Sequence, residues 1–311
     1  MSPTRWLEIS STALDPQPSL TFQLWIHLEG QTVLYRDRGL PLAPADLEPL
    51  RHADLRIADS DRLAYLAVQT RSFDRHSGNA RDPQGGLTSH LFRMQEVLPL
   101  IFEGLPSPRA MECAQSAVAS LLSHLECCAW SFEELIPSLP AQTTLAGHST
   151  RVAALGLLLG KELGIADLPE LGLGLMFHDI GLVDLVGSID LAKEDPSLHP
   201  KYGEHPQHGV KLISRARGAS LRTRDVIQNH HERLDGSGFP RGISGDPLSD
   251  AARIAGIVDR IERWRASAGH SPSAAHYSSL LETLRDEESD RFDPRIIDIF
   301  LARLETSTLE S

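Results

Sequence analysis

An adjacent His178-Asp179 pair lies between His148 upstream and His205, His230, His231 and Asp259 downstream. Imidazole nitrogens and carboxylate oxygens together are the donors of zinc, manganese and iron sites, and one Asp can bridge two ions through its two oxygens. A lone histidine on an apolar helix face is usually a core or surface residue. An inward aspartate is different, because an isolated buried carboxylate is very costly unless paired or coordinated. Two such aspartates with five histidines point to a metal centre.

The surrounding periodicity shows how helices would position these groups. His148 precedes Val152 and Leu155 on one face of a helix that continues through Leu159 and Leu163. Leu171 and Leu175 precede His178 and Asp179 at a spacing of one turn, so the pair ends a helix on its buried side. His205 aligns with Gly209 and Leu212, His230 and His231 each follow Val226 and Ile227 by four, and Asp259 shares a face with Ala252, Ala255 and Gly256. The Pro- and Gly-rich stretch Leu234 to Pro247 follows the His pair directly and reads as a substrate loop, with Asp235 suited to an Asx turn. Arg233, Arg241, Arg253, Arg260 and Arg263 are possible phosphate contacts, and Arg233 is favoured because it opens that loop. His124, His199, His208, His270 and His276 fall outside the arrangement and are expected at the surface or supporting a ligand, His208 being the one to check for the latter.

The whole chain narrows the function classes. Its 311 residues suggest about two domains. A formal charge of -12 without a basic run argues against a nucleic acid polymer as partner. Cys113, Cys127 and Cys128 are too few and badly spaced for a disulfide framework or a zinc cage, and are expected in the core. No signal-like apolar segment opens the chain and no run approaches the ~20 apolar residues that span a bilayer, so a cytoplasmic protein with no membrane partner is expected.

The fold class read from these patterns is mostly α, a C-terminal all-helical bundle preceded by a small α/β domain. Leu20 to Leu28 and Gln31 to Tyr35 read as a hairpin turning at Glu29-Gly30, Asp54 to Ile57 and Leu63 to Val68 as further strands, and Pro44 to Leu50 as a helix between them. Ser72 to Gly86 reads as a linker. Residues 1–86 are thus expected to form a regulatory or partner-binding domain with its linker, docking a signalling protein. Connecting helices at 87–139 carry apolar faces at Leu91, Met94, Val97 and Leu98 and at Ala114, Ala117, Leu121, Leu122 and Leu125, and a metal-binding helical domain occupies 140–311.

Taken in order, the motifs resemble the HD superfamily of metal-dependent phosphohydrolases, and within it the HD-GYP family. The resemblance runs over residues 140 to 305. It comprises His-Ser-Thr-Arg-Val-Ala from His148, His-Asp-Ile-Gly from His178, His205-Pro with Gly209, His-His-Glu-Arg-Leu-Asp-Gly-Ser-Gly-Phe-Pro from His230, Ala-Arg-Ile-Ala-Gly-Ile-Val-Asp ending at Asp259, and Phe292-Asp-Pro.

The resemblance implies hydrolysis of cyclic di-GMP or a related cyclic dinucleotide on a two- or three-metal site. It implies that His148, His178, Asp179 and Asp259 hold one ion and His205, His230 and His231 the second. Asp179 would bridge them as the central catalytic residue. Mixed nitrogen and oxygen ligation suits iron or manganese as the metals, with zinc next. Substrate would be met by Arg233, Gly236, Gly238, Phe239 and Pro240. Three departures bear on this: Phe239 stands for the signature Tyr, Leu182 for a Lys, and Thr144 for the Glu that holds a third metal, so two metals are expected. The family's Arg-Pro-Tyr segment is also missing, with Arg-Ala-Ser-Ala-Gly-His at 265–270. The losses leave open a catalytically weak nucleotide sensor or adaptor that keeps the metal centre, and more remotely a di-iron oxygenase.

Overall fold

The computed structural model describes residues 4–76, 83–105, 107–127, 130–141, 144–186, 197, 200–267 and 274–305. Four strands, β1 (Trp6–Ile9), β2 (Leu24–Leu28), β3 (Gln31–Arg36) and β4 (Asp54–Ala58), form an antiparallel sheet in the order β1-β4-β2-β3. The β2–β3 hairpin turns as expected through Glu29 and Gly30, with φ of 48° and 81°. Positive values at both central residues match the twist of a two-residue hairpin turn. A short helix, α1 (Pro44–Leu47), precedes β4. The edge strand β1 escaped the sequence reading because four residues give too short an alternation to register.

One expected strand is a helix. Leu63 to Val68 lies inside α2 (Arg62–His76), where Tyr65, Leu66, Val68, Gln69, Ser72 and Phe73 are buried while Leu63 is exposed. That burial follows the helical period past the point where the apolar run stops. The same face corrects the linker. Ser72 to His76 complete α2, Pro83 to Gly86 begin α3 (Pro83–Gly104), and residues 77–82 lie outside the described residues. Phe22 beside the sheet meets Tyr65 of α2 edge to face at 5.3 Å, and α2 packs on α3 and α4 (Pro108–Cys127).

Helices continue from there as α5 (Phe132–Leu135), α6 (Leu145–Glu162), α7 (Leu168–Phe177), α8 (Gly181–Val186), α9 (His205–Ser214), α10 (Leu221–Asn229), α11 (Asp250–Ser267), α12 (Ala274–Glu287) and α13 (Pro294–Glu305). Among the described residues no strand follows β4, and no helix is long and apolar enough to cross a membrane. Cys113 is buried on α4, but Cys127, expected in the core, is exposed at that helix's end. His124 departs from expectation in the other direction: it is buried on α4, with Nδ1 2.8 Å from Ser120 O. Cys128, His199 and His270 lie outside the described residues.

The bundle is organised around α6, which is buried on every side from Leu145 to Gly160. A helix with no exposed face belongs at the centre of a layered core. Its first turn is set by Thr144, whose Oγ1 accepts the Gly147 amide at 3.1 Å, an N-cap. One turn after His148, the fully buried Arg151 meets Glu262 on α11, Nε to Oε2 2.6 Å, and donates to Pro140 O at 2.9 Å. Glu262 also accepts from Arg265 Nε at 2.8 Å and from the Tyr277 hydroxyl at 2.7 Å. This network locks α6 against α11 in one register. A second contact is steric: a Cβ on Gly181 would lie 2.0 Å from His205 O, so only glycine lets α8 meet the start of α9.

Removing Glu262 strands two guanidinium groups in the core. Glu262→Leu should lower unfolding free energy by about 3–5 kcal/mol in urea titrations, and adding Arg151→Met should recover part of the loss.

Candidate metal centre

Three helix ends supply three of the five imidazoles. His178 caps α7, His230 caps α10, and His205 caps the short 3-10 turn Tyr202–Glu204 before opening α9. The last carbonyls of a helical segment have no partner within it. Each ring takes the carbonyl three residues back: His178 Nδ1 lies 2.7 Å from Leu175 O, His205 Nδ1 2.6 Å from Tyr202 O, and His230 Nδ1 2.9 Å from Ile227 O. These contacts assign the proton to Nδ1 and leave Nε2 as the free donor atom, the arrangement typical of a metal-ligating histidine.

The freed nitrogens converge. His148 Nε2 and His178 Nε2 are 3.1 Å apart, and His205 Nε2 and His230 Nε2 3.2 Å. Lone pairs facing one another at that distance require a proton or a cation between them. Asp179 divides its oxygens between the two pairs: Oδ1 lies 3.0 Å from His205 Nε2 and 3.6 Å from His230 Nε2, Oδ2 3.4 Å from His178 Nε2 and 3.7 Å from His148 Nε2. Although Oδ1 is fully buried and so near His205, it lacks the alignment of a hydrogen bond. Asp259 adds Oδ1 at 3.0 Å from His148 Nε2 and Oδ2 at 3.7 Å from His231 Nδ1.

The seven side chains thus form two buried quartets that share Asp179: His148, His178, Asp179 and Asp259, and Asp179, His205, His230 and His231, with ligand atoms in each within 4.8 Å of one another. Buried, mixed nitrogen and oxygen donors set this close together fit a divalent cation in each quartet.

Without an ion present, the electrostatics divide the histidines. Burial pushes His148 down, His230 down to about 4, and His231 well below its ordinary value. Burial opposes the charge on His178 too and is the largest single influence, but the Asp179 and Asp259 carboxylates together outweigh it and lift the ring to about 10. Burial would raise both carboxyls, yet Arg263 and the neighbouring imidazoles hold Asp179 and Asp259 well below the carboxylate range. Two carboxylates therefore face one guanidinium and one imidazolium, a balance that lets the charges stay buried.

Around the quartets, the loop after His231 is gripped by its own polar groups. Glu232 accepts the amides of Arg241 at 2.7 Å and Ile243 at 2.9 Å, and Asp235 accepts the Ser237 amide at 2.8 Å in the expected Asx turn. Gly236 has a φ of 79°, and the Phe239–Pro240 peptide is cis. A Cβ on Gly238 would lie 2.4 Å from His231 O, so glycine here lets the loop fold onto the main chain of His231. Phe239 consequently stacks on His231, centroids 4.5 Å apart.

The favoured arginine is differently engaged. Arg233 lies 4.6 Å over the Phe292 ring and donates to His230 O and Glu232 O. Arg241 reaches Asn229, Arg253 Asp293, and Arg260 Glu288. Of these five arginines it is Arg263 that donates to the carboxylates of the quartets. His208 is half-buried on α9, one turn from His205. Leu182, standing where the resemblance has a lysine, is fully buried.

Sequence reasoning missed Tyr202, whose hydroxyl lies 3.0 Å from His231 Nε2 and so turns Nδ1 toward Asp259. Its place three residues before His205 belongs to no motif, and only the 3-10 turn brings it in.

His230 is depressed from 6.5 to about 4, so it contributes stability above pH 6.5 that is lost as pH falls toward 4. Scanning calorimetry of metal-free protein should show the melting temperature falling across that window, with a shallower slope in His230→Gln.

The HD domain family matches residues 135–296, just over half the chain. Similar relatives include a cyclic di-GMP phosphodiesterase of Pseudomonas aeruginosa, 31% identical over 160 residues, covering 50% of this chain and 38% of that protein. A 3'3'-cGAMP-specific phosphodiesterase of Vibrio cholerae is 32% identical over 185 residues, covering 53% and 38%. The chain therefore spans well under half the length of these relatives. Among solved structures, an HDG"Y"P protein from Bdellovibrio bacteriovorus shares the fold across 99% of this chain and 100% of its own, with a TM-score of 0.68 at 16% identity. With the ordered motifs and the buried quartets beside it, the family match establishes that the chain belongs to the HD domain family.

Proposed function

We propose that this protein holds two divalent ions, iron or manganese, and hydrolyses a cyclic dinucleotide, cyclic di-GMP being the first candidate. The observation that carries this reading is the division of the two Asp179 oxygens between separate imidazole sets. His148, His178, Asp179 and Asp259 would hold one ion, and Asp179, His205, His230 and His231 the other. Bound there, the ions would supply Lewis acidity toward a phosphodiester and a water of lowered pKa.

The chain's own groups do the positioning. Carbonyls at Leu175, Tyr202 and Ile227 and the Tyr202 hydroxyl aim the rings, while Phe239 shields one face of His231 from water. Gly236, Gly238, Phe239 and Pro240 form the loop segment beside which substrate would lie. Thr144 offers no carboxylate and spends its hydroxyl on the helix cap, which supports two ions over three. The names of the Pseudomonas and Vibrio relatives support a cyclic dinucleotide as the substrate class. The N-terminal sheet, outside the family match, would carry the contact with a signalling partner.

A second reading, binding without turnover, draws support from the buried Leu182 and the missing hydroxyl at Phe239. One set of measurements separates the two. Protein reconstituted anaerobically should carry two equivalents of iron or manganese and convert cyclic di-GMP or 3'3'-cGAMP to a linear product. Asp179→Asn should drop the metal content and slow hydrolysis by about 10²–10³-fold or more. Tight dinucleotide binding by metal-loaded protein without product would favour the sensor.

Tyr202→Phe tests the outer layer of the same site. It should weaken one of the two ions by about 10- to 100-fold in chelator competition and leave the other unchanged.

A further inference from the structure

We propose that Arg263 is the anion-binding group of this centre, taking a phosphoryl oxygen of the substrate once metal occupies the carboxylates it now holds. The inference rests on the two-metal reading above and specifies how substrate is held there.

The geometry of Arg263 is that of a cation waiting at a metal site. Its Nε lies 2.8 Å from Asp259 Oδ1 and 3.0 Å from Oδ2, and Nη2 lies 2.6 Å from Asp179 Oδ2. Those oxygens belong to the quartet completed by His148 and His178, so the guanidinium and an ion there compete for the same lone pairs. An ion there withdraws charge from these oxygens and weakens their hold on the guanidinium, which keeps its own charge and so gains from a further acceptor. Nη1 already makes no hydrogen bond among the described residues. The side chain is 19% exposed although the carboxylates it reaches are at most 1% exposed, so it connects the cluster with the surface. Its guanidinium lies 5.6 Å from the centre of the Tyr202 ring, within the range of a cation–π contact. An acceptor arriving over two cations from the open side would be an anion, and the planar fork suits the paired non-bridging oxygens of a phosphodiester.

The other four arginines near the site are held by Phe292, Asn229, Asp293 and Glu288. The proposal also fits the sequence: a leucine fills position 182 and is buried, so no cation comes from there.

Competition with metal and attraction for anion give the test two readouts of opposite sign. In full-length protein loaded with manganese, Arg263→Met should keep manganese affinity equal to or tighter than wild type, because a competing cation is gone. The same variant should bind inorganic phosphate and bis(4-nitrophenyl) phosphate about ten- to a hundredfold more weakly in calorimetric titrations. Arg263→Lys, which keeps the charge and loses the fork, should fall between them and serves as the folded comparison if the methionine variant does not express. Unchanged phosphate affinity in either variant overturns the proposal. So does loss of manganese by Arg263→Met with its fold intact, which would make Arg263 a structural counter-ion for the two aspartates. Wild-type protein that takes up no manganese would instead overturn the metal reading itself, and this inference with it.

Discussion

A carboxylate with no exposed surface, surrounded by imidazoles on both sides, is the constraint from which the rest of this architecture follows. Asp179 cannot be ionised in the core without compensating charge, and the groups that compensate it come from α6, α7, α9, α10 and α11. In the metal-free chain Arg263 and a charged His178 provide the balance. The helices must therefore converge on one point to within hydrogen-bond distances, and their packing is the means of doing so.

Two devices achieve that convergence. Along the contact of α6 with α11, His148 faces Asp259 and, one turn on, Arg151 faces Glu262, two polar rungs that fix helix register as apolar packing alone would not. A slip of one residue would break both. Across the other contact, Gly181 gives α8 a surface with no side chain where it meets His205, so Asp179 and His205 approach to 3.0 Å. The first device is electrostatic and the second steric, and each acts on residues within a turn of the ligands.

The seven converging groups were legible in the sequence because each sits at a helical spacing from core residues, and an aspartate on such a face must be paired or coordinated. The hairpin at Glu29-Gly30 was legible for a similar reason, since the turn type demands its residues. What stayed hidden depends on direction more than composition. Arg233 and Arg263 look equally available in the sequence, yet one lies over Phe292 and the other across two carboxylates, a difference set by helix phase. Tyr202 is brought in by a single 3-10 turn that no periodicity announces. Leu63 to Val68 is an apolar run too short to distinguish strand from helix until the burial of Ser72 and Phe73 extends the period. His124 was expected outside because histidine is usually partly exposed, but a carbonyl on its own helix satisfies it inside.

The fastening of His178, His205 and His230 to carbonyls at the ends of their own helical segments has a thermodynamic consequence. Side-chain rotamer freedom at these rings is surrendered when the helices form, so the entropy of ordering them belongs to folding and is not charged again when an ion arrives. A centre built this way would take a cation without reorganising its walls. Selectivity among ions of similar size would then reflect their intrinsic preference for nitrogen and oxygen donors and their availability to the protein.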